Sequence, residues 1–356
     1  MQTEADPIEQ ADDLIAKGEA ARAVSLLRTR LSEGRGGLLA RLALVRALLA
    51  SADADGAMEA AREAASLNPE IPDALLMLGE ALMAAGHLPS AIGEFQRALR
   101  LDPQSEIARL ALGRAWLEAG EPDKALEQLR EAATAAALPL IARAEAMRGQ
   151  KRSDAGYVRH LFDQFSADYD SRMRAQLSYR APEILREMAA FVMPGAKDLT
   201  VLDLGCGTGL AAEAFGDIAS SFDGIDLSPQ MIEKARARGV YHHLAVADIE
   251  TALSAGRAEY DLILAADTLV YLGDLTPTLE GAFRRLKPGG FFLFTVESNP
   301  DGCFTLGPKR RWRHAQDYLR ERAVAAGFEI SGLLACSPRS EAGTPVEGFA
   351  VALHKA

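Results

Sequence analysis

A spacing of 34 residues constrains this chain more than any other feature of its sequence. Pro69 and Pro103 stand one such step apart, and between them run Leu75, Leu78, Gly79, Leu82, Ala91, Phe95 and Ala98. One step later the chain offers Leu112, Gly113, Trp116, Ala125, Leu129 and Ala132. One step earlier it offers Leu44, Leu48, Ala57, Ala61 and Ala64. Small residues at fixed places let two helices of a hairpin approach closely, and large ones fill the gap beside them. The turn Ala85-Gly86-His87 supplies the glycine that favours a helix stop. A hairpin of this kind cannot bury its apolar face alone, so neighbours stack into a solenoid. Leu14, Ala23 and Leu27 mark a weaker, earlier copy. Three clear repeats and one degenerate repeat are expected in 1–135.

The repeat does not continue. At 356 residues, 49% hydrophobic and 25% charged, the chain has material for two domains. Past residue 150 glycine clusters and short apolar runs replace the helical pattern. The expected division is a helical repeat domain at 1–135, a linker with lead-in helices at 136–195, and an α/β domain at 196–356. The formal charge of −11 disfavours nucleic acid and anionic membrane as partners. Three cysteines without C-x-x-C spacing argue against a disulfide framework or a metal site, and suit a reducing compartment. The first thirteen residues lack a basic region followed by an apolar run, and no uncharged apolar run approaches the ~20 residues of a membrane helix. A soluble cytoplasmic protein is therefore expected.

Chemistry is concentrated in the second part. Leu199–Leu204 reads as a strand, Gly205-Cys206-Gly207-Thr208-Gly209 as a loop and Leu210–Phe215 as a helix, the opening of a doubly wound α/β unit. A second strand ends in Asp226, at the place of a carboxylate that takes two ribose hydroxyls. Ser228-Pro229 then caps a helix running to about Arg238. Asp248 follows a strand at Tyr241–Val246. The loop is G-x-G-x-G and is preceded by an acid, Asp203. A carboxylate there repels a pyrophosphate and attracts a ligand with an amino group and a sulfonium.

These residues carry a resemblance. Val201 to Gly209, Gly224 to Ser228, Ala247-Asp248-Ile249, Tyr260 to Asp267, and Leu286-Lys287-Pro288-Gly289-Gly290 with Phe291 to Val296 resemble, in order, the motifs of class I S-adenosylmethionine-dependent methyltransferases. The repeats resemble the tetratricopeptide repeat. The whole chain is similar to predicted methyltransferases that carry such repeats at the N-terminus. The implied fold is an α solenoid followed by a Rossmann-like sheet, parallel with an antiparallel final strand, the last two strands being Phe328–Leu333 and Phe349–Leu353.

For the cofactor S-adenosylmethionine, the resemblance implies that Asp203, Gly205, Cys206 and Gly207 face the methionine part, with Cys206 a small packer. Asp226 takes the ribose, and Leu227 and Met231 flank the adenine. Asp248 receives the adenine amino group beside the Ile249 amide. Ala265 to Asp267 close the methionine end. The segment Phe162 to Asp170 is similar to a lead-in helix whose aromatic covers the bound cofactor, which makes Tyr169 a lid candidate, with Tyr157 and Tyr179 behind it. A base is needed only where the acceptor must lose a proton; Asp267, Glu297 and His314 are its candidates. The run Lys309 to His314 suits an anionic substrate or a solvated surface. The acceptor is a small molecule or is borne by a protein, through oxygen or nitrogen. The repeats recruit a protein or peptide partner or self-associate, and Arg97, Arg100, Arg109 and Arg114 are candidates to line a groove for an acidic tail. The competing reading is a repeat adaptor whose methyltransferase-like domain does not turn over.

Overall fold

The computed structural model describes residues 6–132, 134–166, 168–307 and 310–356. Its contacts divide the chain into two compact units, Met1–Gly149 and Gln150–Ala356. No helix among the described residues is long and apolar enough to cross a membrane.

In the first unit α1 (Pro7–Ala16), α2 (Ala20–Ser32), α3 (Gly37–Ala50), α4 (Ala54–Leu67), α5 (Pro72–Ala84), α6 (Leu88–Leu101), α7 (Glu106–Glu118), α8 (Pro122–Ala132) and α9 (Ala137–Gly149) follow one another. One backbone bond recurs at every hairpin turn. The N–H of Glu19 donates to the Leu14 carbonyl at 2.8 Å, Asp53 to Leu48 at 3.0 Å, His87 to Leu82 at 2.7 Å and Glu121 to Trp116 at 2.8 Å. This is the bond that closes a helix ending in a left-handed residue. That residue is Gly18, Ala52, Gly86 and Gly120 in turn. Each set is spaced by 34, so the degenerate first copy folds like the others.

Close approach explains the repeated glycine. A Cβ on Gly79 would stand 2.3 Å from the Phe95 ring, and one on Gly113 would stand 2.5 Å from Leu129. Phe95 and Leu129 are fully buried in consequence. The arginines expected to line a groove are largely occupied within the unit. Arg97 lies 2.8 Å from Glu94, Arg109 pairs with Glu131, and Arg114 pairs with Glu80 one repeat away. Residues 137–149, expected as linker, form α9 instead; Ala137 and Ala144 are buried in one apolar cluster with Leu126 and Leu129 of α8.

The second unit opens with α10 (Ala155–Phe165), α11 (Tyr169–Ala175) and α12 (Ala181–Val192). Then come β1 (Leu199–Leu204), α13 (Leu210–Phe215), β2 (Ala219–Asp226), α14 (Pro229–Arg238), β3 (His243–Val246), α15 (Ile249–Ala255) and β4 (Tyr260–Ala265). After a 3-10 turn at Leu269–Tyr271 follow α16 (Thr276–Arg285), β5 (Leu286–Ser298), β6 (Phe304–Leu306), β7 (Trp312–His314) and α17 (Gln316–Ala325). The last strands are β8 (Glu329–Cys336), β9 (Ser340–Glu341), β10 (Thr344–Pro345) and β11 (Gly348–His354).

The main sheet runs β3-β2-β1-β4-β5-β11-β8. Its first five strands are parallel, and β11 is antiparallel to both β5 and β8. Central strands are buried on both faces, as a parallel sheet covered by helices requires. Leu202, Leu204, Ile263 and Ala265 pack on one side with α15, α16 and α17. Val201, Leu262 and Leu264 pack on the other with α12 and α13. The strand order reverses between β1 and β4, which opens a crevice at the carboxyl ends of the strands.

Two pieces were not expected. The basic run is not a solvated turn: Trp312–His314 is β7, parallel to β5 and antiparallel to β6. Lys309 lies outside the described residues. Within the polar loop before β11, β9 and β10 form a short hairpin.

Candidate functional site

The loop after β1 is turned sharply back onto β2. The N–H groups of Gly205 and Cys206 both donate to the Ile225 carbonyl, at 2.7 and 2.9 Å. Gly207 has φ +54, and a Cβ added there would meet nothing nearer than the Tyr169 ring at 4.0 Å. The backbone at Gly207 is therefore bare toward a cavity, where a ligand can lie against it. Asp226 at the end of β2 receives the Gly207 N–H at 2.9 Å and the Ser228 N–H at 2.8 Å. Ser228 in turn caps α14 by accepting from the Met231 N–H at 3.0 Å.

The cavity lies at the strand reversal and is partly open to solvent. Four carboxylates line it, Asp203, Asp226, Asp248 and Asp267, against one cation, Arg152. Burial pushes Asp203 up to about 7 despite a 2.8 Å hydrogen bond from the Tyr241 hydroxyl. Burial likewise pushes Asp226 up to about 6, against its backbone donors. Asp248 differs. Burial raises it, but the Arg152 hydrogen bond and charge outweigh burial and hold it below the usual carboxylate range. A pocket walled by such acids favours a cationic ligand, which would supply the charge they lack.

Asp267 closes the other end. Its backbone is left-handed, with φ +57, and its N–H donates to Thr295 Oγ1 at 2.8 Å. A non-glycine residue held there stores on the order of 1 kcal/mol or more of strain. Arg339, almost fully buried, fixes the side chain: its guanidinium bonds Asp267, Glu297 and Glu341 together. Burial raises Asp267 above its ordinary value even so. Over this end stand Tyr169, Tyr179, Tyr271 and Phe162. Phe162 meets Tyr169 and Tyr271 edge-on at 6.2 and 5.6 Å, and the Tyr179 hydroxyl donates to the Ala266 carbonyl at 3.2 Å.

Of the residues singled out from the sequence, the structure brings Asp203, Gly205, Cys206, Gly207, Asp226, Leu227, Asp248, Ile249, Asp267 and Tyr169 to this one cavity. Five others do not line it; Tyr157 packs instead on the cluster of Val158, Val270 and Tyr271. Met231, in the first turn of α14, is fully buried in the core. Ala265 points into the apolar layer beside Ile263 and Phe294, and the alternation along β4 gives its place at the cavity to Ala266. Glu297 is buried against Arg339 and Arg313 and borders a separate groove. His314 is fully buried, its Nε2–H donates to the Gly273 carbonyl at 3.0 Å, and burial pushes it down to about 4. A neutral ring tied to a carbonyl has no path to a reacting proton. Arg152, Thr268, Tyr271 and Arg339 have no motif around them.

Residues 201–290 match the family described as methyltransferase domain, and residues 42–106 and 76–139 match the tetratricopeptide repeat. Methyltransferase-like protein 27 of Homo sapiens is 31% identical over 48% of this chain and 66% of its own length. Malonyl-[acyl-carrier protein] O-methyltransferase of Salmonella typhimurium is 31% identical over 37% of this chain and 54% of its own length. The chain thus spans roughly half to two thirds of these curated relatives. A magnesium protoporphyrin IX methyltransferase from Synechocystis PCC 6803, solved with bound SAM, superposes at 17% identity and a TM-score of 0.44, covering 57% of this chain and 98% of that one. The chain joins tetratricopeptide repeats to a methyltransferase domain.

Proposed function

We propose that the protein is an S-adenosylmethionine-dependent methyltransferase acting on a small-molecule or protein-borne oxygen or nitrogen acceptor. The observation that carries this reading is the cavity whose wall holds four carboxylates and a bare glycine backbone at Gly207. Asp226 would hold the ribose hydroxyls, with Leu227 and Ile249 beside the purine and Asp248 at its amino group. Gly205, Gly207 and Asp203 would face the methionine part. The bound cofactor supplies an activated methyl group on a sulfonium. Tyr169, Phe162, Tyr179 and Tyr271 exclude water from that end and offer ring faces to a cation. Asp267, raised by burial and aimed by Arg339, would take a proton from an acceptor that must lose one. Alignment of acceptor and methyl is the protein's main contribution, on the order of 7–11 kcal/mol in well-oriented systems.

Residues 1–149 would serve as the recruiting or self-associating module, extended by α9 beyond the four repeats. A reducing cytoplasm suits the three unpaired cysteines. Incubating the full chain with fractionated lysate and methyl-labelled cofactor tests the reading. Label in a macromolecular band identifies a protein client, and label in the small-molecule fraction identifies a metabolite. No label above that of Asp226→Ala in any fraction would overturn the catalytic reading in favour of an adaptor.

A further inference from the structure

Among the described residues Arg152 is the single cation lining a cavity of carboxylates. Its neighbours anchor the strand-like segment before α10. The Lys151 carbonyl accepts from Gly273 at 2.8 Å and Asp274 at 2.9 Å, the Ser153 N–H donates to Tyr271 at 2.8 Å, and Arg152 itself bridges Leu272. The guanidinium spans two acids at the start of α15: Nη2 bonds Asp248 Oδ2, and Nη1 bonds Glu250 and lies 3.4 Å from Asp248 Oδ1.

Asp248 is nearly saturated by this. Its Oδ1 also caps α15, accepting from the Thr251 N–H at 3.1 Å and the Thr251 hydroxyl at 3.3 Å. A carboxylate has about four lone-pair positions, two on each oxygen. Oδ1 is filled, and Oδ2 keeps one. A carboxylate clamped in this way cannot rotate or readily take a proton, so it can only accept.

We infer that Arg152 is a positioning residue for the purine end of the cofactor: by clamping Asp248 as a fixed, ionised acceptor it selects a 6-amino purine over a 6-oxo purine. The inference rests on the S-adenosylmethionine reading. A 6-amino group donates to the open position on Oδ2. A 6-oxo group meets it acceptor to acceptor. Without Arg152 the half-buried acid keeps only its two Thr251 bonds on Oδ1, leaving Oδ2 able to take a proton, and a protonated acid donates to the oxo group.

Calorimetric titration of the full chain with S-adenosylhomocysteine and S-inosylhomocysteine tests this. The wild type should prefer the adenosyl ligand, and Arg152→Gln should narrow that preference by roughly tenfold or more, the scale of a charge-assisted hydrogen bond. Arg152→Lys should narrow it less, and carries the same measurement if the glutamine variant does not fold. A preference that stays constant while both ligands weaken together would show a merely structural arginine. Tighter adenosyl binding in the variant would show that Arg152 occupies the purine's place. Either result overturns the assignment. A wild type that binds neither ligand would overturn the cofactor reading, and this inference with it.

Discussion

The two units solve burial in opposite ways. The repeat unit uses the same turn bond and a left-handed residue at the same place four times, and sets a glycine against a large side chain in two of its copies. Its charges stay at the surface and pair locally. The methyltransferase unit repeats nothing, and it buries what the first unit keeps outside. Asp203, Asp226, Glu297, His314 and Arg339 are all inside it. Among the described residues of the repeat unit, repetition builds a core without a buried charged side chain. Function requires ionisable groups in low dielectric, and those must be satisfied one at a time by partners distant in sequence.

The largest expected effects fall on the interior of each unit and differ in kind. Arg339→Leu leaves Asp267, Glu297 and Glu341 facing one another without their shared guanidinium. Removing one partner of a buried ion pair costs about 3–5 kcal/mol, and urea unfolding should show a loss of that size. Replacing Asp267 with Asn in the same background should recover part of it, since one unpaired charge goes. Phe95→Ala empties the space above Gly79 and should cost about 3–5 kcal/mol by cavity formation. Here no second charge change restores stability. Recovery with Asn in the first case, or its absence, decides whether charge governs the second interior.

An intermediate effect separates the units by pH. Asp203 and Asp226 titrate in the folded protein at about 7 and about 6, above roughly 3.9 for a free aspartate. Folding therefore favours their protonated forms. The stability they contribute is fully present below pH ~3.9 and is lost as pH rises through 6 to 7. Ionisation at that point should also favour the extra positive charge of S-adenosylmethionine over S-adenosylhomocysteine. The affinity ratio of the two should rise severalfold between pH 5.5 and 8, within the tenfold that one unit of pKa shift allows. A flat ratio would mean that these acids do not sense the sulfonium.

The smallest effect lies on the repeat surface. Arg114 and Glu80 pair across one repeat but are partly exposed, and such pairs contribute less than about 1 kcal/mol. Arg114→Ala should leave the urea midpoint nearly unchanged. A loss comparable with that of Phe95→Ala would erase the contrast drawn between the two interiors.

This contrast also explains what the sequence disclosed. The repeat's small and large positions recur at one spacing, so their roles were readable, while the specific contact of Gly79 with Phe95 came from the structure. The loop and the acids at strand ends were readable because the backbone there has few alternatives: the glycines around Gly207 and the carboxylates Asp203, Asp226 and Asp248 occupy places the topology dictates. Side-chain direction was less legible. Met231 sits four residues after Leu227 yet faces the core from α14, and His314, in the basic run read as a substrate contact, is buried by the strand pairing of β7. The clamps were not legible at all. Arg152 reaches Asp248 across 96 residues and Arg339 reaches Asp267 across 72, and no local pattern announces a partnership closed only by the fold.

The most direct measurement is a calorimetric titration of the full chain at pH 8 with S-adenosylmethionine, and in parallel with NAD, for the wild type and Asp226→Ala. The account predicts one cofactor site per chain for S-adenosylmethionine, weakened about a hundredfold in the variant, the upper scale of a hydrogen bond to a charged group, with no heat from NAD. Heat from NAD alone, or a variant that binds S-adenosylmethionine as tightly as the wild type, would contradict it.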